Sequence, residues 1–478
     1  MLRSRRLGAF LTVLTVSLGL LAGVSATAAN AYRAPAGAHF NVPRPWGTDA
    51  QRYKIVRTVE AAIRATRPSK KDPRPIILLT SFLFDRTATV DAAIAACRRG
   101  VSVRIILDED GRGDEDYNGI NKIQRRLISV LNGDNVTDKN HDGKADSRPR
   151  TGKCGRTSSG GTGRLTTSGS GVVMMSKTQA AASLTVPNSA SVTWGKDRSY
   201  VKRCSGSCRG SGGNMHSKFY AFSHAGKTPN VVMVSSSNLN GGGANLGWND
   251  LYVMNRVPKS FNYYKRMHRS MTDDQKAVSK VYAIKDGRYT SRFYPIPHAG
   301  KNSDPTLADL RKVSCSSAFG PTKIYVSMFF WAGTRGNYML DRLLYMADQG
   351  CKVNVIVGAP SNQILNRIVA ASKSGRINAF DSRWNWNADS PTDEGPDVRT
   401  HGKYVLVKGT YAGKRKSYQV WTGTGNWVGG SLHLGDENSL NISRKSAYNK
   451  YVANWNTVRN HSRHLPQAPG SSCPRCSD

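Results

Sequence analysis

The sequence predicts an α/β protein built from two similar halves, and two observations support this fold class. First, two stretches, 75–108 and 323–357, share the order strand, amphipathic helix, glycine and fully apolar strand. This order is typical of a βαβ unit whose parallel strands are buried on both faces. Second, each unit is followed by β-rich segments that carry similar polar residues. A repeat of this kind indicates an internal duplication.

The two units are built from matching elements. Their strand, helix and strand segments are 75–84, 90–99 and 100–108 in the first unit and 323–331, 337–349 and 350–357 in the second. Gly100 and Gly350 follow the two helices, and glycine is common there because it tolerates a left-handed backbone. We therefore expect one parallel strand pair in each half.

The amino-terminal segment is typical of a secretory signal peptide. Arg3, Arg5 and Arg6 precede an apolar run at 7–24, and small residues follow at 26–31. The apolar run is short for a membrane span, so cleavage after the small residues is expected. We therefore predict a secreted, extracellular protein.

Four segments follow from these patterns. They are a signal peptide at 1–31, a first half at 32–290, a second half at 291–465 and a C-terminal tail at 466–478. The first half contains an insertion at about 146–213 that is rich in Gly, Ser and Thr. Such a composition predicts a long surface loop, and because the insertion runs into His216 we expect it to border the active site.

A segment before this insertion resembles the first half of an EF-hand loop. Its oxygen-bearing side chains are Asp138, Asn140, Asp142 and Asp146. Gly143 occupies the sixth position, but Pro149 stands where the bidentate glutamate would be. A structural calcium site and an ordinary polar turn both remain open.

Eight cysteines fit an oxidising compartment. They allow about 105 pairings, so the sequence leaves the connectivity open. We expect Cys204 to pair with Cys208 and Cys315 with Cys351, because each pair lies within one predicted unit. The Cys473-x-x-Cys476 motif would suit zinc, but no second ligand pair lies near it.

The net charge is strongly positive, since 69 Lys and Arg against 32 Asp and Glu leave +37. A field of this sign attracts phosphate-rich partners such as anionic membrane surfaces and nucleic acids. Charge alone indicates which partners are plausible and does not choose among them.

Similar polar motifs occur at corresponding places in the two halves. His216-Ser-Lys218 is followed by Ser236, Asn238 and Asp250, and His401-Gly-Lys403 is followed by Thr424, Asn426 and Glu437. Residues two apart on a strand project from the same face, so each motif presents an imidazole beside an ammonium group. Two copies within a repeat favour a catalytic site over isolated surface residues.

This pattern resembles the phospholipase D superfamily, whose motif His-x-Lys-x4-Asp is followed by Gly-Ser-x-Asn and is present twice. The resemblance covers most of 45–465 and implies two phospholipase D-like α/β/α halves with one active site at their interface. The sequence departs from the family at the motif aspartate, which is replaced by Ser223 and Lys408. The resemblance implies that this aspartate is mainly structural. It also implies that Asp250 and Glu437, or its neighbour Asp436, orient the histidines.

The resemblance further implies covalent catalysis that requires no metal or other cofactor. One histidine attacks phosphorus to form a phosphohistidine, and the other protonates the leaving oxygen and later activates water or an alcohol. By analogy His216 is the nucleophile and His401 the acid and base. The predicted phosphate-binding residues are Lys218, Lys403, Ser236, Asn238, Thr424 and Asn426.

Three functions compete. The leading one is a secreted phosphoric diester hydrolase of the phospholipase D type that hydrolyses or transphosphatidylates phospholipids, acting as a monomer at an anionic membrane surface. The alternatives are a metal-independent nuclease of the same superfamily and an inactive polyanion-binding protein. Aromatic residues predicted near the site would contact lipid or stack on a base: Phe329, Phe330, Trp331, Trp384, Trp386 and Trp427.

Overall fold

Two mixed β-sheets, one from each half of the chain, form the framework of the molecule. The computed structural model describes residues 31–108, 122–131, 199–385 and 398–466. Several predictions concern residues outside these ranges: nearly all of the signal peptide, the calcium segment, most of the insertion, Trp386, the Cys473-x-x-Cys476 motif and nearly all of the C-terminal tail.

The first eight strands belong to the first half. They are β1 (Gly37–Phe40), β2 (Ile76–Ser81), β3 (Ser102–Asp108), β4 (Tyr200–Cys204), β5 (Phe219–Ala225), β6 (Thr228–Ser235), β7 (Gly247–Trp248) and β8 (Asp250–Met254). The later strands are β9 (Tyr282–Asp286), β10 (Tyr289–Phe293), β11 (Val313–Ser314), β12 (Ser316–Ser317), β13 (Gly320–Pro321), β14 (Lys323–Trp331), β15 (Lys352–Pro360), β16 (Asn378–Asp381), β17 (Arg399–Thr400), β18 (Lys403–Tyr411), β19 (Lys414–Gly423), β20 (Asn438–Ser443) and β21 (Arg463–Leu465).

Helices flank both sheets. They are α1 (Asp49–Arg52), α2 (Lys54–Ala65), α3 (Thr87–Arg98), α4 (Lys122–Leu131), α5 (Gly241–Leu246), α6 (Pro258–Thr272), α7 (Pro305–Arg311), α8 (Gly333–Asp348), α9 (Asn362–Lys373), α10 (Gly430–His433) and α11 (Lys445–Asn460). None of the helices in the described part of the chain combines the length and apolarity that crossing a membrane requires.

The strand orders confirm the predicted duplication. The first sheet has the order β1-β8-β6-β5-β2-β3-β4, and the second has β21-β16-β15-β14-β18-β19-β20-β10-β9. In both, three parallel strands are followed by antiparallel ones, so that β2, β3 and β4 correspond to β14, β15 and β16. The antiparallel strands β5, β6 and β8 correspond in the same way to β18, β19 and β20.

Both βαβ units also end their helices alike. Gly100 and Gly350 each have a φ of +91°. An L-residue with a side chain would be strained in this region, whereas glycine adopts it freely and lets the chain enter the next buried strand.

Three large apolar clusters hold the elements together. One lies within each half, and the third lies between the halves. In the third, Val232 and Val234 of β6 belong to the same cluster as Val420 of β19, Leu440 of β20 and Trp455 of α11. The interface between the halves is therefore an apolar core, which fixes their relative position.

The end of the predicted insertion differs from the expected surface loop. Residues 200–204 form β4, a buried strand that pairs in parallel with β3. Lys202 is fully buried there because its ammonium group donates to the carbonyls of Met271 and Thr272 at 3.0 and 2.9 Å and pairs with Asp274. The loop prediction was wrong for these residues because such partners make a buried lysine tolerable.

The hairpin of β9 and β10 belongs to the second sheet, where β10 pairs with β20. The boundary that we predicted between residues 290 and 291 therefore falls within a strand of the second half. The two predicted disulfides, Cys204–Cys208 and Cys315–Cys351, are confirmed.

A buried ion pair supports the second half. Arg335 donates to Asp304 at 2.8 Å, and the two side chains are 5% and 0% exposed. Arg335 also donates to the carbonyl of Asn426 at 2.9 Å, which connects the pair to the predicted site. Burial raises the pKa of Asp304, but the Arg335 charge and its hydrogen bonds outweigh this and hold the pKa below its usual value.

Replacing Asp304 by asparagine should cost about 3–5 kcal/mol of unfolding free energy, because the Arg335 charge would stay buried without its partner. The measurement is equilibrium urea denaturation. The matched control is Asp341→Asn, which removes an ion pair with Arg367 whose side chains are 52% and 35% exposed, and should cost less than about 1 kcal/mol. Equal losses for the two variants would contradict the assigned role of the buried pair.

Candidate active site

The two His-x-Lys motifs meet where the halves join. His216 and His401 each lie two residues before the lysine that leads into the central antiparallel strands, β5 and β18. The backbone of each histidine is bound by the opposite half: the His216 amide donates to the carbonyl of Asp436, and the His401 amide donates to that of Trp248, both at 2.9 Å. The halves thus fix both motifs.

The two lysines have equivalent surroundings. Lys218 is 0% exposed and Lys403 is 4% exposed. Each ammonium group donates to the carbonyl oxygen of its own motif's histidine at 2.7 Å. One acceptor leaves each ammonium group with further donors for an anion.

Burial shifts the pKa of all four basic groups downward. It lowers the pKa of Lys218 to about 7, and burial together with the Lys218 charge holds the pKa of Lys403 well below its usual range. Burial lowers the pKa of His216 although Glu437 opposes the change, and burial together with Lys403 and Lys218 lowers that of His401 strongly. Part of this lowering comes from repulsion among the basic groups themselves. An anion bound between them would relieve that repulsion, so the site favours an anionic ligand.

The two histidines have different partners on the opposite half. His216 Nδ1 donates to Glu437 Oε2 at 2.9 Å, whereas His401 Nδ1 donates to Asn249 Oδ1 at 2.9 Å. Asn249 Nδ2 donates to the carbonyls of Gly243 and Gly247, which fixes the amide so that its oxygen accepts from the histidine. Both rings therefore keep Nε2 free of a proton when neutral.

The predicted role of Asp250 differs from its position. Asp250 is fully buried and its carboxylate accepts from Thr422 and Tyr451, so it braces the interface and the His401 ring bonds its neighbour instead. Burial raises the pKa of Asp250. The sequence spacing could have identified Asn249 as the partner of His401. Asn249 lies as many residues after Asn238 as Glu437, the partner of His216, lies after Asn426.

Asp436, the alternative carboxylate, does not bind a histidine ring with its Oδ2 atom either. Its Oδ2 accepts from the Ser207 hydroxyl at 2.7 Å and from the amides of Cys208 and Arg209 at 2.6 and 3.2 Å. It therefore anchors the disulfide loop beside His216.

The two asparagines are held alike. Asn238 Oδ1 accepts from the backbone amides of Phe82 and Leu83, both at 3.2 Å, and Asn426 Oδ1 accepts from that of Phe330 at 3.2 Å. Because each oxygen is engaged by a donor, the side-chain nitrogen is the group available to a phosphate oxygen.

The hydroxyls of Ser236 and Thr424, which are predicted to bind phosphate, make hydrogen bonds within the protein. Both are fully buried. Ser236 donates to Asn249 at 2.9 Å and accepts from the Asp250 amide, and Thr424 donates to the Asn438 carbonyl and accepts from the Asn438 amide. In this structure both hydroxyls are occupied in positioning the residues that follow, and their role in phosphate binding stays a prediction.

A carboxylate that the sequence analysis missed lies beside the first substituted motif position. The Ser223 hydroxyl donates to Asp72 at 2.6 Å, and His224 Nδ1 donates to the same oxygen at 2.9 Å. Asp72 comes from the segment before β2, far away in sequence. In the second copy, the Lys408 ammonium group lies 5.0 Å from the Phe319 ring centroid.

Phe82 and Phe329 flank the two histidines. Their ring centroids lie 5.6 Å from His216 and 4.7 Å from His401, respectively. They also lie 5.7 and 4.8 Å from the ammonium groups of Lys218 and Lys403. The site thus has partly buried aromatic walls beside its cations.

The other predicted aromatic residues divide between surface and core. Phe330 is 40% exposed, whereas Trp331 and Trp427 are buried against each other with centroids 4.5 Å apart. Trp384 lies 5.0 Å from the Trp46 ring. Among those within the described ranges, only Phe330 offers a large exposed ring.

The unequal partners predict unequal responses to substitution. Asn249→Asp should raise the pKa of His401, because a carboxylate favours the imidazolium, and Glu437→Gln should lower that of His216 by about one to three units for the opposite reason. Histidine ring NMR titration measures both. The Nδ1 partnership described above would be contradicted if either substitution shifted the other histidine more than its own.

Comparisons with known proteins agree with this architecture. Residues 73–271 match the family model described as "Cardiolipin synthase, PLD-like domain". The solved phosphatidylserine synthase of Haemophilus influenzae is 11% identical, with a TM-score of 0.50 over 93% of this chain and 91% of that one. A search of curated proteins found no match.

Two further solved structures are similar at lower scores. Polyphosphate kinase of Porphyromonas gingivalis is 10% identical with a TM-score of 0.47, and the match covers 91% of this chain but 52% of that one. A yeast tyrosyl-DNA phosphodiesterase mutant is 8% identical with a TM-score of 0.42, over 87% and 92% of the two chains. These likenesses concern the fold.

Proposed function

Because this chain belongs to the phospholipase D superfamily, we propose that it is a phosphodiesterase that cleaves phospholipids through a phosphohistidine. The observation that carries the proposal is the pair of histidines, each with Nδ1 bound by the opposite half and a lysine two residues on. This arrangement leaves two Nε2 atoms for reaction with one phosphorus atom.

His216 is the proposed nucleophile because Glu437 can stabilise the positive charge that the ring gains. Its Nε2 attacks phosphorus, a new P–N bond forms and the P–O bond to the leaving group breaks. The carboxylate that accepts from Nδ1 offsets the developing charge, and Ser431 donates to the other Glu437 oxygen at 2.7 Å, which holds that carboxylate in place.

His401 is the proposed acid and base because its neutral partner Asn249 does not stabilise the imidazolium. Protonated His401 gives its Nε2 proton to the leaving oxygen and then accepts a proton from water. The water oxygen attacks phosphorus, the P–N bond breaks and neutral His216 is regenerated. An alcohol in place of water would give transphosphatidylation.

Lys218, Lys403, Asn238 and Asn426 are proposed to bind the non-bridging oxygens. Substrate anion would raise the pKa of both lysines and restore their charge. The two ammonium groups supply the positive charge, so the proposed mechanism requires no metal.

The phospholipid substrate rests on the walls of the site and on the family. Phe82 and Phe329 border the histidines, and Phe330, the next residue after Phe329 in the chain, is exposed. The matching family model is named for a lipid enzyme. Secretion, action as a monomer and a structural calcium at 138–146 remain proposals that rest on the sequence features given above.

A nuclease is the second candidate, and the net charge of +37 favours it. The discriminating experiment assays headgroup release from phosphatidylcholine vesicles and cleavage of plasmid DNA by the same preparation. Loss of headgroup release in both His216→Ala and His401→Ala supports the proposal. DNA cleavage alone, lost in both variants, would assign the nuclease instead, and no cleavage of either would leave the polyanion-binding alternative.

The roles of the two histidines can be separated with bis(p-nitrophenyl) phosphate, whose leaving group needs little protonation. His401→Ala should release about one equivalent of p-nitrophenol per site and then stop, because the P–N bond forms but water is not activated. His216→Ala should release none. A burst in His216→Ala would reverse the assignment, and exposed His464→Ala is the control that should leave turnover unchanged.

The pKa shifts predict an optimum on the acid side of neutrality. Activity requires neutral His216, whose pKa is lowered from 6.5, so the acid limb of kcat/KM should lie below that pH. The acid step requires protonated His401, whose pKa is held well below 6.5, and phosphate binding requires charged Lys218, whose pKa is about 7. The value of kcat/KM should therefore fall as pH rises toward and through 7. A kcat/KM that still increases above about pH 8 would contradict this account.

A further inference from the structure

The antiparallel strands of the two halves differ on one face of the sheet, which carries apolar side chains in the first half and polar side chains at equivalent positions of the second. In the first half, Val231 and Met233 of β6 and Val253 of β8 are buried in one cluster with Ile55 and Val59 of α2. This face is therefore part of the core, as expected for a sheet covered by helices.

The equivalent face of the second half is polar at two of these three positions, whereas Met233 corresponds to the buried Trp421. Counting from Asn238 and Asn426, the positions of Val231 and Val253 correspond to Gln419 on β19 and Asn441 on β20. The alternate residues Leu440 and Ile442 face the core between the halves. The strand alternation is thus kept, and the change affects one face alone.

This polar face lines an open pocket of about 600 Å³ that is strongly basic. Its cationic residues are Lys285, Arg292, Lys312, Lys414, Lys416, Arg444 and Lys445, and the single carboxylate among its lining residues is Asp309. Asp309 is already paired with Arg292 at 2.6 Å and Lys312 at 2.8 Å.

The other five cations are exposed and form no ion pair within residues 31–108, 122–131, 199–385 and 398–466. Hydrogen-bonding side chains lie between them, including Thr290, Asn441 and Ser443. Like charges gathered around one concave surface repel each other, so a multivalent anion is the ligand that they favour.

We propose that this pocket binds a flexible phosphate polymer as a site separate from catalysis. Its Arg292–Asp309 pair also lines a cavity of about 50 Å³ that Lys403 lines, so the pair lies between the pocket and the proposed active site. None of the proposed catalytic or phosphate-binding residues lines the pocket, so the binding site does not depend on the proposed reaction.

The rings in the pocket favour a polymer without bases. Tyr418 packs against Phe319 and Tyr448 at centroid distances of 5.4 and 5.5 Å. Tyr411 packs against Trp421 at 5.6 Å and donates its hydroxyl proton to Asp309 at 3.0 Å. Both rings are engaged, whereas single-stranded nucleic acids bind through free aromatic faces.

The test measures the affinity of fluorescein-labelled inorganic polyphosphate by anisotropy at several salt concentrations. The triple variant Lys414→Gln, Lys416→Gln, Lys445→Gln should bind at least about tenfold more weakly, with the slope of log K against log salt reduced by about two. The matched control removes three exposed lysines elsewhere in the second half, Lys323→Gln, Lys352→Gln and Lys373→Gln, and should change affinity less than threefold, roughly.

Equal weakening by both triple variants would overturn the proposal, because net charge alone would then explain binding. So would loss of binding in Lys218→Gln, which would assign the polymer to the proposed active site. Competition by oligothymidylate or by anionic phosphatidylglycerol vesicles at a lower concentration than polyphosphate would overturn the stated ligand. Retained binding in His216→Ala and His401→Ala, with loss in the pocket variant, is the expected result.

Discussion

Reciprocal hydrogen bonding between the halves is the constraint on which the site depends. Glu437 of the second half holds the ring of His216, and Asn249 of the first half holds that of His401. Each backbone is held in the same crossed manner. Neither half could orient its own imidazole, so the apolar core between the halves is also a requirement of the site.

Much of the fold could be predicted from sequence patterns that have a direct physical cause. Parallel strands buried on both faces read as unbroken apolar runs, and the glycines after the helices marked their ends. The paired motifs could be found because residues two apart on a strand share a face. Cys204–Cys208 and Cys315–Cys351 were predictable because each pair lies within one unit.

The remaining features depend on tertiary contacts. β4 contains Lys202, whose buried ammonium group is satisfied by carbonyls of α6, far along the chain. Asp72 meets Ser223 from a distant segment. Asn249 was overlooked because a carboxylate is the expected partner for a histidine, and Asp250 lies next to it.

The unequal partners of the histidines break the twofold symmetry left by the duplication. An anion lying between His216 and His401 has a carboxylate behind one ring and a neutral amide behind the other. Its two ends are consequently distinguishable, and a diester bound there has a preferred direction. The two orientations of an asymmetric diester in such a site would therefore differ in energy. The more stable orientation would determine which of the two ester bonds faces His216 and which faces His401.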